Sequence, residues 1–268
     1  MNTIMTTMKR LFLSNVFLSC LFLFLGCGLD EYYVLDAPVS SLSTPSVTSA
    51  NYTFQTPFDS ADFSFRTNEE GINKTYTQAD SSFKFLGTAI YYKIYNNYSK
   101  MNSEISSLSS LNTSTNESAA ASKMIETYKY VQLGCKEGSV TPLISGTGNN
   151  KTVKIRLTNY QEFISKIYID DIAKFTPIRN KDKEPFSFDF GRTNKDGDYS
   201  DDELPKDGDS DVAYGDESSE GMWYVSLYAV AVGRDTTYTT YYSGLLHLGA
   251  VAKDFSCRHF LPSLILKI

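Results

Sequence analysis

The sequence predicts a mainly β fold, an antiparallel sandwich with long insertions and one inserted helix, and three observations carry that expectation. Segments that alternate apolar with polar residues, rich in Tyr, Phe, Val and Ile, recur along the chain and are each closed by turn residues. The clearest of them is residues 222–232, where Trp223, Val225, Leu227, Ala229 and Ala231 fall on one face. A capping-box serine opens the one stretch with clear helical spacing. Strand runs without regularly interleaved helices pack as sheet on sheet.

The chain opens differently. Lys9 and Arg10 form a short basic region, residues 11–25 an apolar run, and Phe24-Leu25-Gly26-Cys27 a small-residue-then-cysteine end. The apolar run is interrupted by Ser14, Asn15 and Ser19 and is shorter than the ~20 residues that a stable bilayer span requires. This segment resembles a bacterial lipoprotein signal with its lipobox. Phe24 stands where Leu is usual, as in the relaxed lipoboxes of spirochaete-type lipoproteins, and Cys27-Gly28-Leu29-Asp30-Glu31-Tyr32-Tyr33 resembles the mature start of such proteins. The resemblance implies cleavage after residue 26, acylation of Cys27, membrane lipid as a partner, and a place in the bacterial cell envelope, at the outer membrane or cell surface rather than the inner membrane. Each buried CH2 of an acyl chain contributes about 0.8 kcal/mol, so several chains hold where one would not. A signal anchor, or an ordinary cleaved signal with an incidental cysteine, is the alternative.

Residues 27–49 read as the lipidated N-terminus and a flexible tether, because Asp36 to Ser49 is rich in Ser, Thr and Pro. The sandwich domain is expected over residues 50–254. Whole-chain charge is −6, yet residues 196–220 hold 11 acids against Lys206 alone, a local −10. No basic cluster interleaved with aromatics occurs, which argues against nucleic acid. Outside the signal and Cys27, the cysteines are Cys135 and Cys257. In an oxidising envelope they either pair or stay as buried thiols.

Candidate strands are residues 52–54, 63–67, 83–95, 151–158, 163–169, 186–190, 222–232 and 241–251, with a turn at Asn68–Gly71 and a hairpin turn at Gly146–Lys151. In the strongest, Trp223, Val225, Leu227, Ala229 and Ala231 share one face, which is expected to be buried, with Tyr224, Ser226 and Tyr228 on the other. Together with Phe85–Tyr95 upstream and Ser243–Gly249 downstream, this strand resembles the F strand of a fibronectin type III-like domain, flanked by C and G. In that family the F strand alternates an aromatic with Val and Ala, matched here by Trp223, Val225, Leu227, Ala229 and Val230. The resemblance implies an immunoglobulin/fibronectin III-like sandwich and no particular activity.

The inserted helix is expected over about residues 116–131. Ser114 and Glu117 have capping-box spacing, and Ala121, Met124 or Ile125, Tyr128 and Val131 recur at helical intervals. The serine-dense run before it, residues 103–115, reads as loop or a frayed extension.

Possible chemistry concentrates in the acidic segment, residues 196–220. Asp207, Asp209 and Asp211 place carboxylates at every second residue, the interval by which calcium loops aim side chains at one hard cation. A calcium loop also wants Gly at its sixth position and a carboxylate at its twelfth, where Val212 and Ser218 stand. A solvated, mobile, self-repelling loop is the competing expectation. Hydrolase or glycosidase acids would come from Asp189, Asp196 or Glu220, although a glycosidase pair must be fixed across a cleft. His247 sits between Leu246 and Leu248 and reads as structural or solvent-facing. The reading these observations favour is a non-enzymatic envelope lipoprotein that needs no cofactor, calcium apart, and presents its loops to a protein or glycan ligand. Residues 255–268 are apolar and irregular, a C-terminal tail of uncertain structure.

Overall fold

The computed structural model describes residues 33–40, 44–45, 61–77, 82–113, 117–138, 141–159, 164–181, 184–190, 204–215 and 221–254. Fifteen strands occur among them. In chain order these are β1 (Val39–Ser40), β2 (Phe63–Arg66), β3 (Phe83–Tyr95), β4 (Val131–Gln132), β5 (Gly134–Cys135), β6 (Ile144–Ser145), β7 (Thr152–Arg156) and β8 (Lys166–Ile169). They continue with β9 (Ile172–Phe175), β10 (Pro177–Lys181), β11 (Glu184–Phe186), β12 (Val212–Ala213), β13 (Met222–Asp235), β14 (Thr240–Tyr242) and β15 (Leu246–Asp254). The helices are α1 (Ile72–Thr75), α2 (Tyr98–Leu111) and α3 (Glu117–Ser122), and α3 widens into a π-turn over Lys123–Thr127.

The long strands β3, β13 and β15 lie side by side and antiparallel, with β13 in the middle. The three segments read as C, F and G therefore neighbour one another in that order. A second sheet runs β1-β2-β7-β8-β9, and a small third sheet runs β11-β10-β5. The fold is mainly β with antiparallel sheets in a sandwich-like arrangement. Phe63, Phe65, Val153, Ile155 and Ile167 of the second sheet share one apolar cluster with Ile90, Ile94, Val225, Leu227 and Ala229 of the first. The helices cover the opposite face. Met101, Leu108, Ala121 and Met124 pack with Tyr224, Tyr228, Val230 and Val232 in a second cluster.

This second core corrects the one-sided reading of β13. Both faces are buried, with Tyr224 as sealed as Val225. Trp223 is only partly buried, against the first cluster. Two glycines permit close approaches where the long strands are irregular: Gly87 and Gly249 have φ of 136° and 118°. A Cβ on either would collide with a carbonyl oxygen, of Ile144 or of Pro45.

Helix α2 is a second correction, since the serine-dense run is regular helix. Asn97 caps it by accepting a 2.8 Å bond from the Lys100 N–H. Met101, Glu104 and Leu108 give it a buried stripe that the serines around them obscure. At its end the Asn112 side chain pairs with both backbone groups of Leu245, at 2.7 and 2.8 Å. The expected helix 116–131 ends earlier, because Val131 is already in β4. Of the capping box, Ser114 and the Glu117 side chain lie outside the described residues, as do residues 52–54 and 255–268.

Three further expectations change. Strand β11 ends at Phe186, and Phe188–Phe190 form a buried turn. The run 241–251 divides into β14 and β15. Gly146–Lys151 is not a hairpin, since β6 pairs with β3 while β7 pairs with β2 and β8. It crosses between sheets around the buried Glu69 carboxylate, which accepts from the N–H groups of Thr147 (2.6 Å) and Gly148 (3.0 Å) and pairs with Lys151. Part of the expected tether is also packed. Leu35 is buried, β1 pairs with β2, and Asp36 exchanges two hydrogen bonds with Asn73 while its carboxylate accepts from the Ile72 N–H.

Candidate functional site

Two buried polar clusters flank the central sheet, one on each face. The first is built around Arg179 of β10, a side chain with no exposure. Its Nε and Nη2 each donate a 2.8 Å bond to Asp211, and Nη2 lies 3.1 Å from Asp209. Asp209 also pairs with Lys181 at 2.7 Å, so two cations face two anions. The Tyr92 hydroxyl donates to Asp211 at 2.8 Å and accepts from the Asn180 N–H at 2.7 Å. Rings of Phe190 and Phe186 cover Arg179 and Lys181. Burial acts against the guanidinium, yet the Asp211 bonds outweigh it and hold Arg179 above its ordinary value. Burial and then Asp211 push the Tyr92 phenol well up.

These partners correct the picture of residues 196–220 as a mobile, self-repelling loop. Within 204–215, Asp209 and Asp211 are buried, and β12 adds in parallel to the end of β3. Repulsion is removed because buried cations on β10 neutralise the acids. Residues 196–203 and 216–220, including Asp196 and Glu220, lie outside the described residues. Of the calcium candidates, Asp207 is exposed, whereas Asp209 and Asp211 direct their oxygens at Arg179 and Lys181. Among the described residues no group of three or more His, Cys, Asp or Glu side chains is arranged to hold a metal ion.

The second cluster runs through the helix-side core. Lys93 of β3 reaches between the helices, donating to the Tyr128 carbonyl after the π-turn and pairing with Glu104 of α2 at 3.4 Å. A cation on the last carbonyls of a helix complements its dipole. Burial lowers the Lys93 pKa, and Glu104 opposes that shift. Glu104 also accepts from the Tyr95 hydroxyl at 2.7 Å, which lies 2.9 Å from the Tyr130 hydroxyl. Tyr130 bonds in turn to Ser226, whose Oγ is 3.2 Å from His247 Nε2. Burial pulls His247 down to about 4, against a raising bond to the Gly249 backbone, and the ring is neutral at pH 7. Hydroxyl beside imidazole is the pairing that nucleophilic catalysis uses. Here Ser226 has no exposure, so the pair satisfies two buried polar groups instead.

The remaining candidates are dispersed. Asp189 is buried and accepts from the backbone and side-chain N–H groups of Asn159, at 2.8 and 3.0 Å. Cys135 is a free, buried thiol pushed by burial to about 11. Its prospective partner Cys257 lies outside the described residues, as does Cys27. Arg179 and Lys181 went unnoticed in the sequence because Pro177–Lys181 carries little apolar alternation; two bases a strand interval apart, like the two acids they bind, were the available signal. No described helix is long and apolar enough to cross a membrane. Compared with known proteins, the chain matches no family model, no curated protein and no solved structure.

Proposed function

We propose that this protein is a lipid-anchored lipoprotein of the bacterial cell envelope, held at the outer membrane or cell surface, whose fibronectin III-like sandwich binds a protein or glycan partner or serves as structure, without catalysis. The observation that carries the reading is the basic, apolar and Gly26-Cys27 order of the first 27 residues. Within the described body, the buried charged groups support a binding or structural role over an enzymatic one. Arg179 and Lys181 are matched by Asp209 and Asp211, Lys93 by Glu104, and Lys151 by Glu69. Charges closed on one another hold a scaffold rigid, and among the described residues these buried acids are spent on their cations. This function uses no cofactor.

Labelled palmitate tests the anchor: uptake by the wild-type chain and none by Cys27→Ser supports it, and equal uptake by both refutes it. For the partner, a hydrolase or glycosidase would turn over a substrate panel, whereas a binder captures its partner without altering it.

A further inference from the structure

We propose that the end of the domain at which the N-terminal segment docks is a second membrane contact, seated on the phospholipid bilayer. Seven large apolar side chains stand exposed among the described residues: Val34, Val39, Ile72, Ile164, Ile172, Tyr214 and Tyr238. Five of them gather at that end. Val39 pairs with Arg66, Arg66 with Thr152, and the Asp170 N–H bonds to the Thr152 carbonyl, so the turn leading into Ile172 falls in line. Asp36, two residues from Val34, caps Ile72. On the other sheet, Tyr76 at the end of α1 stacks edge-on against Phe83, and Phe83 against Tyr241, with centroids 4.8 and 5.3 Å apart. That stack joins α1 to the hairpin displaying Tyr238, which is 80% exposed. Asp235 stiffens the hairpin by accepting 2.9 Å bonds from the N–H groups of Thr237 and Thr239. Ile164 and Tyr214 lie at the opposite end. Ile164 precedes β8 where Lys166 pairs with Arg156, and Tyr214 follows β12 beside Tyr95.

The length of chain beyond the docked segment says what covers this end. On the lipoprotein reading, on which this proposal rests, Cys27 carries lipid, and Val34 follows it by only seven positions. At about 3.5 Å per residue that is at most ~25 Å of chain. A tethered contact is intramolecular, so a few aliphatic side chains and one interfacial tyrosine suffice where a free domain would not bind. Exposed charges beside them are of both signs, Arg66 and Lys74 against Glu70 and Asp171, so the contact is with the headgroup and acyl boundary of zwitterionic lipid rather than with anionic charge.

The test uses the full mature chain in phosphatidylcholine vesicles whose acyl chains are brominated near the headgroup, a quencher of nearby tryptophan. With the one native tryptophan removed by Trp223→Phe, reporters are placed by Tyr238→Trp, Ile72→Trp and Ile164→Trp. The first two should lose at least about twofold more emission than the third, given a seat ~5–10 Å into the boundary. Equal or reversed quenching, in protein that floats with the vesicles and carries palmitate, overturns the seating and leaves the lipoprotein reading intact. Protein that neither carries palmitate nor floats overturns the lipoprotein reading and the seating with it. Hydroxyl-radical footprinting of the unsubstituted protein gives the same comparison without altering the core: Tyr238 protected on vesicles and Tyr214 not supports the seat, and equal labelling refutes it.

Discussion

Arg179 and Asp211, 32 residues apart in the chain, meet through two 2.8 Å bonds with neither side chain exposed. The contact fixes residues 204–215 to β10 and, through Tyr92, to the central sheet. Removing one member of such a pair leaves the other charge buried alone.

Arg179→Met should therefore destabilise by about 3–5 kcal/mol, the range for breaking a buried pair from one side. Arg179→Lys should recover only part of this, because an ammonium cannot make the two-point contact. Urea unfolding measures both, and a loss under about 1 kcal/mol for Arg179→Met would show that the acids find water instead. Limited proteolysis should then cut within 204–215 first.

Lys93 and Glu104 are expected to be energetically coupled. Lys93→Met and Glu104→Gln should each cost more than half of the double substitution, with a coupling of about 1–3 kcal/mol in a double-mutant cycle. Additive losses would mean that Lys93 acts only through the Tyr128 carbonyl and Glu104 only through Tyr95.

Acid stability should carry a histidine limb. Burial puts His247 at about 4 in the folded protein, below its ordinary value near 6.5. Between those values the unfolded chain binds the extra proton, so stability is full above about pH 6.5 and falls by up to ~3 kcal/mol as pH drops to about 4. Burial acts to raise Glu137, but donors from Thr176 and Lys166 hold it at about 2. Its contribution is lost only below about pH 4.5, a separate window. In pH-dependent unfolding, His247→Gln should flatten the upper limb and leave the lower one. An unchanged upper limb would place the imidazole in water.

Trp223→Ala should cost less than Leu227→Ala, although Trp is the larger side chain. Leu227 is sealed between the sheets, where truncation costs about 2–5 kcal/mol, whereas Trp223 lies partly open at the start of β13. Chemical unfolding compares them, and the reverse order would place Trp223 at the centre of the core.

What the sequence revealed follows from which interactions are local. The limits of β3 and the start of β13 were legible because alternation over many residues marks a strand, whereas the neighbouring order of the three long strands was only what the resemblance to C, F and G strands implied. Helix α2 was hidden because serine is a weak helix former whose side chain competes for backbone groups, while only Met101, Glu104 and Leu108 mark its buried stripe. The burial of Asp209 and Asp211 was invisible for a different reason: their compensating charges lie about thirty residues upstream, on a strand without apolar rhythm. Composition read the local charge correctly and had no means of placing Arg179 beside it.

Lipid attachment at Cys27 is the claim on which the functional account turns, and palmitate labelling with detergent-phase partitioning tests it most directly. Wild-type protein should be labelled and enter the detergent phase, while Cys27→Ser should be unlabelled and stay in the aqueous phase. A Cys27→Ser protein that still takes up palmitate and enters the detergent phase would contradict it.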